Sequence, residues 1–175
     1  RIDNERFVHR SIEENVLRDF IGMFSPSVIL RMENCILEQK GQYRAKDIRR
    51  FFDADEEFHA LFFSEIFRDY CLSVIERECS NYKRIRLLAL MADENFMKNS
   101  IEEHESMIRA VSTRNLDKLM FWSSLHTDRY KAQERWLLKR FPDLFTQSDK
   151  ESEGMRKSPA DLTSDFLLSI RSRGL

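Results

Sequence analysis

Little in this chain bends or breaks a backbone. Four glycines and three prolines in 175 residues are too few to punctuate the turns of a β-rich fold, so an all-α protein is expected. Cysteine is scarce too. Cys35, Cys71 and Cys79 are an odd number without metal-site spacing, and read as free thiols of a cytoplasmic protein. Charge of one sign is not in excess: 29 Lys and Arg stand against 30 Asp and Glu, which removes the basic footprint of a dedicated nucleic-acid surface. No apolar run approaches the ~18 residues of a membrane span, and no signal peptide opens the sequence, so no membrane partner is expected. The chain starts at Arg1 rather than at Met, and the expectation is a fragment whose N-terminal partner domain lies outside it.

What is present is a chain with 42% hydrophobic and 34% charged residues, a balance that suits one globular domain with a substantial core. Apolar residues recur at helical spacing. A first helix is expected over residues 1–22, on Phe7, Val8, Ile12, Val16, Leu17, Phe20 and Ile21. Ser25-Pro26 then reads as an N-cap followed by proline at the first helical position. That second helix is carried by Ile29, Met32 and Ile36 to about Gln39, with Gly41 as its stop. A third, strongly aromatic helix is expected from about Ala45 into the mid-60s. A fourth spans Asp69 to Ala92, with a possible kink at Ser80-Asn81. Ser100-Ile101-Glu102-Glu103 is a capping-box pattern that opens a fifth helix. Thr113-Arg114-Asn115 forms a turn, Asn115 caps a sixth helix, and Phe141-Pro142 closes it. Residues 147–158 are polar, and Ser158-Pro159 can restart a short helix.

Chemistry concentrates on Asp55-Glu56-Glu57-Phe58-His59. Positions i and i+4 of a helix lie about 40° apart on one face, so Asp55 and His59 can converge on one point. Two more of the four histidines, His104 and His126, sit on the neighbouring fifth and sixth helices. His104 is nine residues before Thr113 and His126 eleven after Asn115; at ~1.5 Å of rise per residue they come level within a turn. Three imidazoles and a carboxylate suit a divalent cation, Zn²⁺ or Ni²⁺ first and Mn²⁺ after them. Glu56-x-x-His59 also matches half of a di-iron carboxylate motif. Ile101 and Ser123 stand where a second copy needs glutamate, which argues against that class. His9 has no partner pattern and reads as structural or surface. The stripe Phe51, Phe52, Phe58 and Phe62 reads as core. Arg84 and Arg86, two residues apart, point about 160° away from each other on a helix, so at most one turns inward, where it can clamp a carboxylate in bidentate fashion.

Taken in order, Asp55-x-x-Phe58-His59, then Glu103-His104-x-x-Met107-Ile108-x-Ala110-Val111, then His126 resemble the FCD domain, the effector-sensing half of FadR-type regulators in the GntR superfamily. Tyr82-Lys83-Arg84-Ile85-Arg86-Leu87 and Phe141-Pro142-Asp143-Leu144-Phe145 are similar to two further segments of one branch of that family. The resemblance covers roughly residues 5–146. It implies an antiparallel bundle of six to seven helices enclosing a ligand and metal cavity, here residues 1–146; residues 147–175 read from their own composition as a polar linker and short C-terminal helix. The resemblance further implies Asp55, His59, His104 and His126 as metal ligands, Arg84 or Arg86 against a small carboxylic effector such as a sugar or organic acid, and a homodimer. DNA is engaged only through a winged-helix domain outside this chain, and no catalysis is expected. The sequence departs from the family in two places: Val8-His9-Arg10-Ser11-Ile12-Glu13 only loosely fits an Arg-x-x-Leu-Glu start, and Ser64-Glu65-Ile66-Phe67 replaces a Gly-Asn. Two other classes remain open on the residues alone. One is a mononuclear metal-dependent hydrolase, in which three histidines leave a position open to activate water. The other is a metal-free helical interaction domain.

Overall fold

The structure, a computed structural model, describes residues 2–142. Among these residues there are seven helices and no strand: α1 Ile2–Met23, α2 Ser27–Ala45, α3 Ile48–Ser64, α4 Asp69–Glu78, α5 Ser80–Ala92, α6 Asn95–Ser112 and α7 Leu116–Arg140. The expected all-α bundle is what forms. The polar segment 147–158 and the helix expected after Ser158 lie outside the described residues. α2 packs on α3 and α6, α6 on α7, and α7 on α1 and α5, so the helices close around a common interior. Phe20, Phe51, Phe58, Phe62, Phe63 and Met107 are fully buried there, and Phe20, Phe58 and Phe62 meet edge to face at 4.8–5.6 Å between ring centres. The aromatic stripe read as core is core.

Four local expectations are corrected. The inward stripe of α1 is not the one that starts at Val8: Phe7 is 72% exposed and Val8 is exposed. Its buried face runs through Ile2, Glu5, Arg6, Glu13, Val16, Leu17 and Phe20. Polar residues hold inward positions because each has an interior partner. Glu5 accepts from the backbone N–H groups of Asn81 and Tyr82 at 2.8 and 3.0 Å, so a carboxylate of α1 satisfies the open N-terminus of α5. Gly41 does not stop α2. It lies in the helix interior with open space where a Cβ would stand, and the helix ends at Lys46 in the left-handed region, φ 56°. The span Asp69–Ala92 is two helices broken at Cys79, whose φ of −107° and ψ of 32° leave the helical range. Ser100 does not open a helix. α6 already starts at Asn95, after Asp93 accepts from the Asn95 N–H at 2.9 Å, and Ser100 is buried in its second turn. Asn115 does cap α7, its side chain accepting from the Lys118 N–H at 2.9 Å.

Candidate metal centre

α3 presents Asp55 and His59 to the interior on one face, as the i, i+4 spacing requires. The tight turn after α6, closed by Arg114 at φ 50°, folds α7 back antiparallel, so His104 and His126 come level, with ring centres 4.6 Å apart. All four groups are buried, at 0% exposure for Asp55 and His104, 3% for His126 and 8% for His59. One ligand atom from each lies within 4.8 Å of the others. Phe58 stacks on the His104 ring at 4.3 Å and 23°, which fixes that imidazole from the apolar side.

The atoms around this cluster determine what it can bind. The Nδ1 of each histidine faces its own acceptor: His59 meets Glu13 of α1 at 2.7 Å, His104 meets Gln39 of α2 at 3.0 Å, and His126 meets Glu103 of α6 at 2.9 Å. With the proton on Nδ1 in each case, every Nε2 turns a lone pair to the shared interior. Arg86 donates to Oδ2 of Asp55, leaving Oδ1 directed at the same point. Both Asp55 Oδ1 and His104 Nε2 are buried without a hydrogen-bond partner, 3.6 Å apart. The Nε2 atoms of His59 and His126 are 3.3 Å apart. Two lone pairs at that distance need a proton or a cation between them. The spacing is close to the ~3.3–3.4 Å edge of a tetrahedron with bonds of ~2.0–2.1 Å to nitrogen. These donors therefore fit a divalent cation, and a buried Asp/His₃ group with its outer hydrogen bonds made is the usual construction of such sites.

Electrostatics favour the neutral form at two of the three histidines. Burial, and then the neighbouring His126 and His59, hold His104 well below its ordinary value. Burial and His59 push His126 down to about 3. Burial also pulls on His59, but Glu13 beside it outweighs that and leaves the ring above its ordinary value. Burial alone would raise Glu13, yet His59 and His9 bring it down to about 2. Glu13 thus stands as a carboxylate beside His59, and the close Nε2 atoms of His59 and His126 are where a proton would sit when no cation does.

A cavity of about 40 Å³ opens beside the cluster, between α1, α3, α4 and α5. His9, Glu56, His59, Lys83 and Arg86 form its polar wall, and Phe63, Leu72 and Ile75 its apolar one. Arg86 is buried and faces it. Arg84 lies on the exposed side of α5, opposite, and does not line it. The two arginines divide as helix geometry requires. Arg86 is not free, however: one Nη binds Asp55 and the other donates to Glu56 at 2.6 Å. The segment Ser64-Glu65-Ile66-Phe67, where the Gly-Asn is replaced, does not line the cavity and bends at Phe67, which stands at φ 59° and is 85% exposed.

Sequence reasoning missed Gln39, for which no local signal exists. It also missed the pairing of Glu13 with His59, and of Glu103 with His126, although Glu103 adjoins a candidate ligand. His9, read as structural or surface, is half-buried against the cavity, its ring edge-on to Tyr82 at 5.3 Å.

An all-α bundle with a buried Asp/His₃ cluster that could hold a cation stands beside a small polar cavity. The family model for the FCD domain matches residues 7–129, and the chain belongs to that family. The FCD domain is the effector-binding domain of GntR/FadR-type transcription regulators. No curated protein matches the chain. Among the described residues, no helix is long and apolar enough to cross a membrane.

Proposed function

We propose that this domain senses a small carboxylic acid, a sugar acid or other organic acid, through one divalent cation held by Asp55, His59, His104 and His126. Zn²⁺ or Ni²⁺ suits this donor set best, and Mn²⁺ is within its range. The observation that carries the reading is that the four inward donor atoms are the ones left over after every outer atom of the cluster has a partner. When bound, the cation would supply positive charge and Lewis acidity toward an acid group. The chain's own residues orient the ligands and exclude bulk water, and Arg86 lies at the cavity wall to meet an acid group. Binding then biases the packing of the helices, and through a cytoplasmic homodimer the DNA affinity of a winged-helix domain outside this chain. The coupling can be no larger than the effector's difference in affinity between the two packings, typically ~1–3 kcal/mol.

A hydrolase is disfavoured by where the carboxylates stand. A general base must be free to reach a water. Glu103 is tied to His126 and Arg129, Glu56 to Arg86 and Lys83, and Glu57 is exposed. The test is elemental analysis of purified protein against a His104→Ala/His126→Ala variant. About one equivalent of metal in the wild type and almost none in the variant is expected. Equally little in both would end the metal reading, and with it the sensor built on the metal.

A further inference from the structure

Two carboxylates sit on Arg86, and they are not alike. Asp55 is fully buried and also turns an oxygen into the cluster. Glu56 has a side chain 27% exposed, reaches Arg86 with one oxygen at 2.6 Å, and reaches Lys83 with the other at 2.6 Å. Lys83 is itself 45% exposed on its side chain. Glu56 thus closes a carboxylate onto two cations at the rim of the cavity beside His59, with a path to solvent for the glutamate and for the lysine.

We propose that Glu56 is a built-in competitor of the effector: its carboxylate occupies the Arg86/Lys83 seat when the effector is absent, and the acid group of an effector must displace it into solvent to bind. This rests on the carboxylate-sensing reading above and deepens it. It assigns to Glu56 the setting of effector affinity, and to Lys83 a second cationic contact. It also makes the exchange a like-for-like one. Breaking the Glu56 contacts frees Lys83 and the one Nη of Arg86 that Asp55 does not hold, and only another anion satisfies them, so neutral or cationic analogues of the same shape are refused. Charge-assisted bonds to Arg and Lys are about twice as strong as neutral ones, so Glu56→Gln keeps the shape and lowers the barrier to exchange.

The test uses the metal-loaded protein, acetate as probe and acetamide as its neutral counterpart, with binding read by calorimetry and metal content checked in each sample. Acetate is expected to bind Glu56→Gln at least 10-fold more tightly than wild type, with acetamide binding to neither. A purely structural ion pair predicts the opposite, an affinity unchanged or lower in the variant. Equal acetate affinities would overturn the competitor role and leave the carboxylate-sensing reading standing; acetate bound by neither protein would overturn both. A crystal of wild-type protein soaked in acetate gives a second reading without any substitution. Glu56 swung off Arg86, with acetate in its place, is expected. Acetate bound with the Glu56–Arg86 contact intact would refute the exchange.

Discussion

Gln39 is the residue through which the outer hydrogen bonds of the cluster can be tested most cleanly. It is fully buried on α2. Its carbonyl oxygen faces Nδ1 of His104 at 3.0 Å, while its amide donates to the Ala54 carbonyl at 3.3 Å. Replacing it by leucine keeps the approximate volume and removes the acceptor. The Nδ1–H of His104, itself fully buried, is then left unpaired, at a cost of ~1–3 kcal/mol. In a domain of this size each 1 kcal/mol moves the melting temperature by roughly 2–4 °C. The ring can avoid that cost only by moving its proton to Nε2, which blanks the atom that faces the cation. Either way metal binding suffers, and loss of such an outer partner typically costs ~10–100-fold in affinity. Competition against a chromophoric chelator measures this directly, with circular dichroism to show that the fold survives. Gln39→Glu restores an acceptor and is expected to recover most of the affinity. A folded Gln39→Leu protein that holds metal as tightly as wild type would refute the tautomer argument, and would remove His104 from the proposed ligand set.

Proton linkage gives a second check. His104 and His126 are held neutral by burial, while His59 is held above its ordinary value by Glu13, so metal uptake at pH 7 should displace about one proton, from the pair His59 and His126. Calorimetry in buffers of different ionisation enthalpy counts it; a release of three would mean that the histidines are not pre-deprotonated. In the metal-free protein the lowered histidines cost stability as pH falls below ~6.5, because the unfolded chain takes up protons the folded one refuses; for His126 alone this reaches about 2 kcal/mol at pH 5. His59 acts the other way, adding stability below ~6.5 that fades as pH rises through its raised value. His9, lowered to about 4, adds to the first group, so urea unfolding of the metal-free protein should show lower stability at pH 5 than at pH 7. Asn115→Ala removes the cap of α7 and should cost ~1 kcal/mol, read as an earlier urea midpoint with metal content unchanged; loss of metal there would mean that the level of His126 depends on the cap.

The helices were readable because their signals are local. Asn115 caps where a capping residue should, and the i, i+4 pair Asp55 and His59 shares a face because one helix dictates it. The meeting of His104 and His126 followed from the length of a turn and the rise of a helix. What was not readable depends on partners distant in sequence. Nothing near Gln39 marks it as the acceptor for a histidine 65 residues away. α1 misled in the same manner: its apolar residues suggested a stripe starting at Val8, but Glu5, Arg6 and Glu13 take inward positions because α5, α7 and α3 supply their counterparts. Hydrophobic periodicity reads a buried face only where the interior is apolar. Here the interior holds charge, so a helix that faces it looks rotated. Arg86 and Glu56 carry the same lesson to the cavity. An inward arginine suggested an open seat for an acid, and the chain's own carboxylates already sit on it. Any acid sensed at that wall has to outcompete the protein for its own cation.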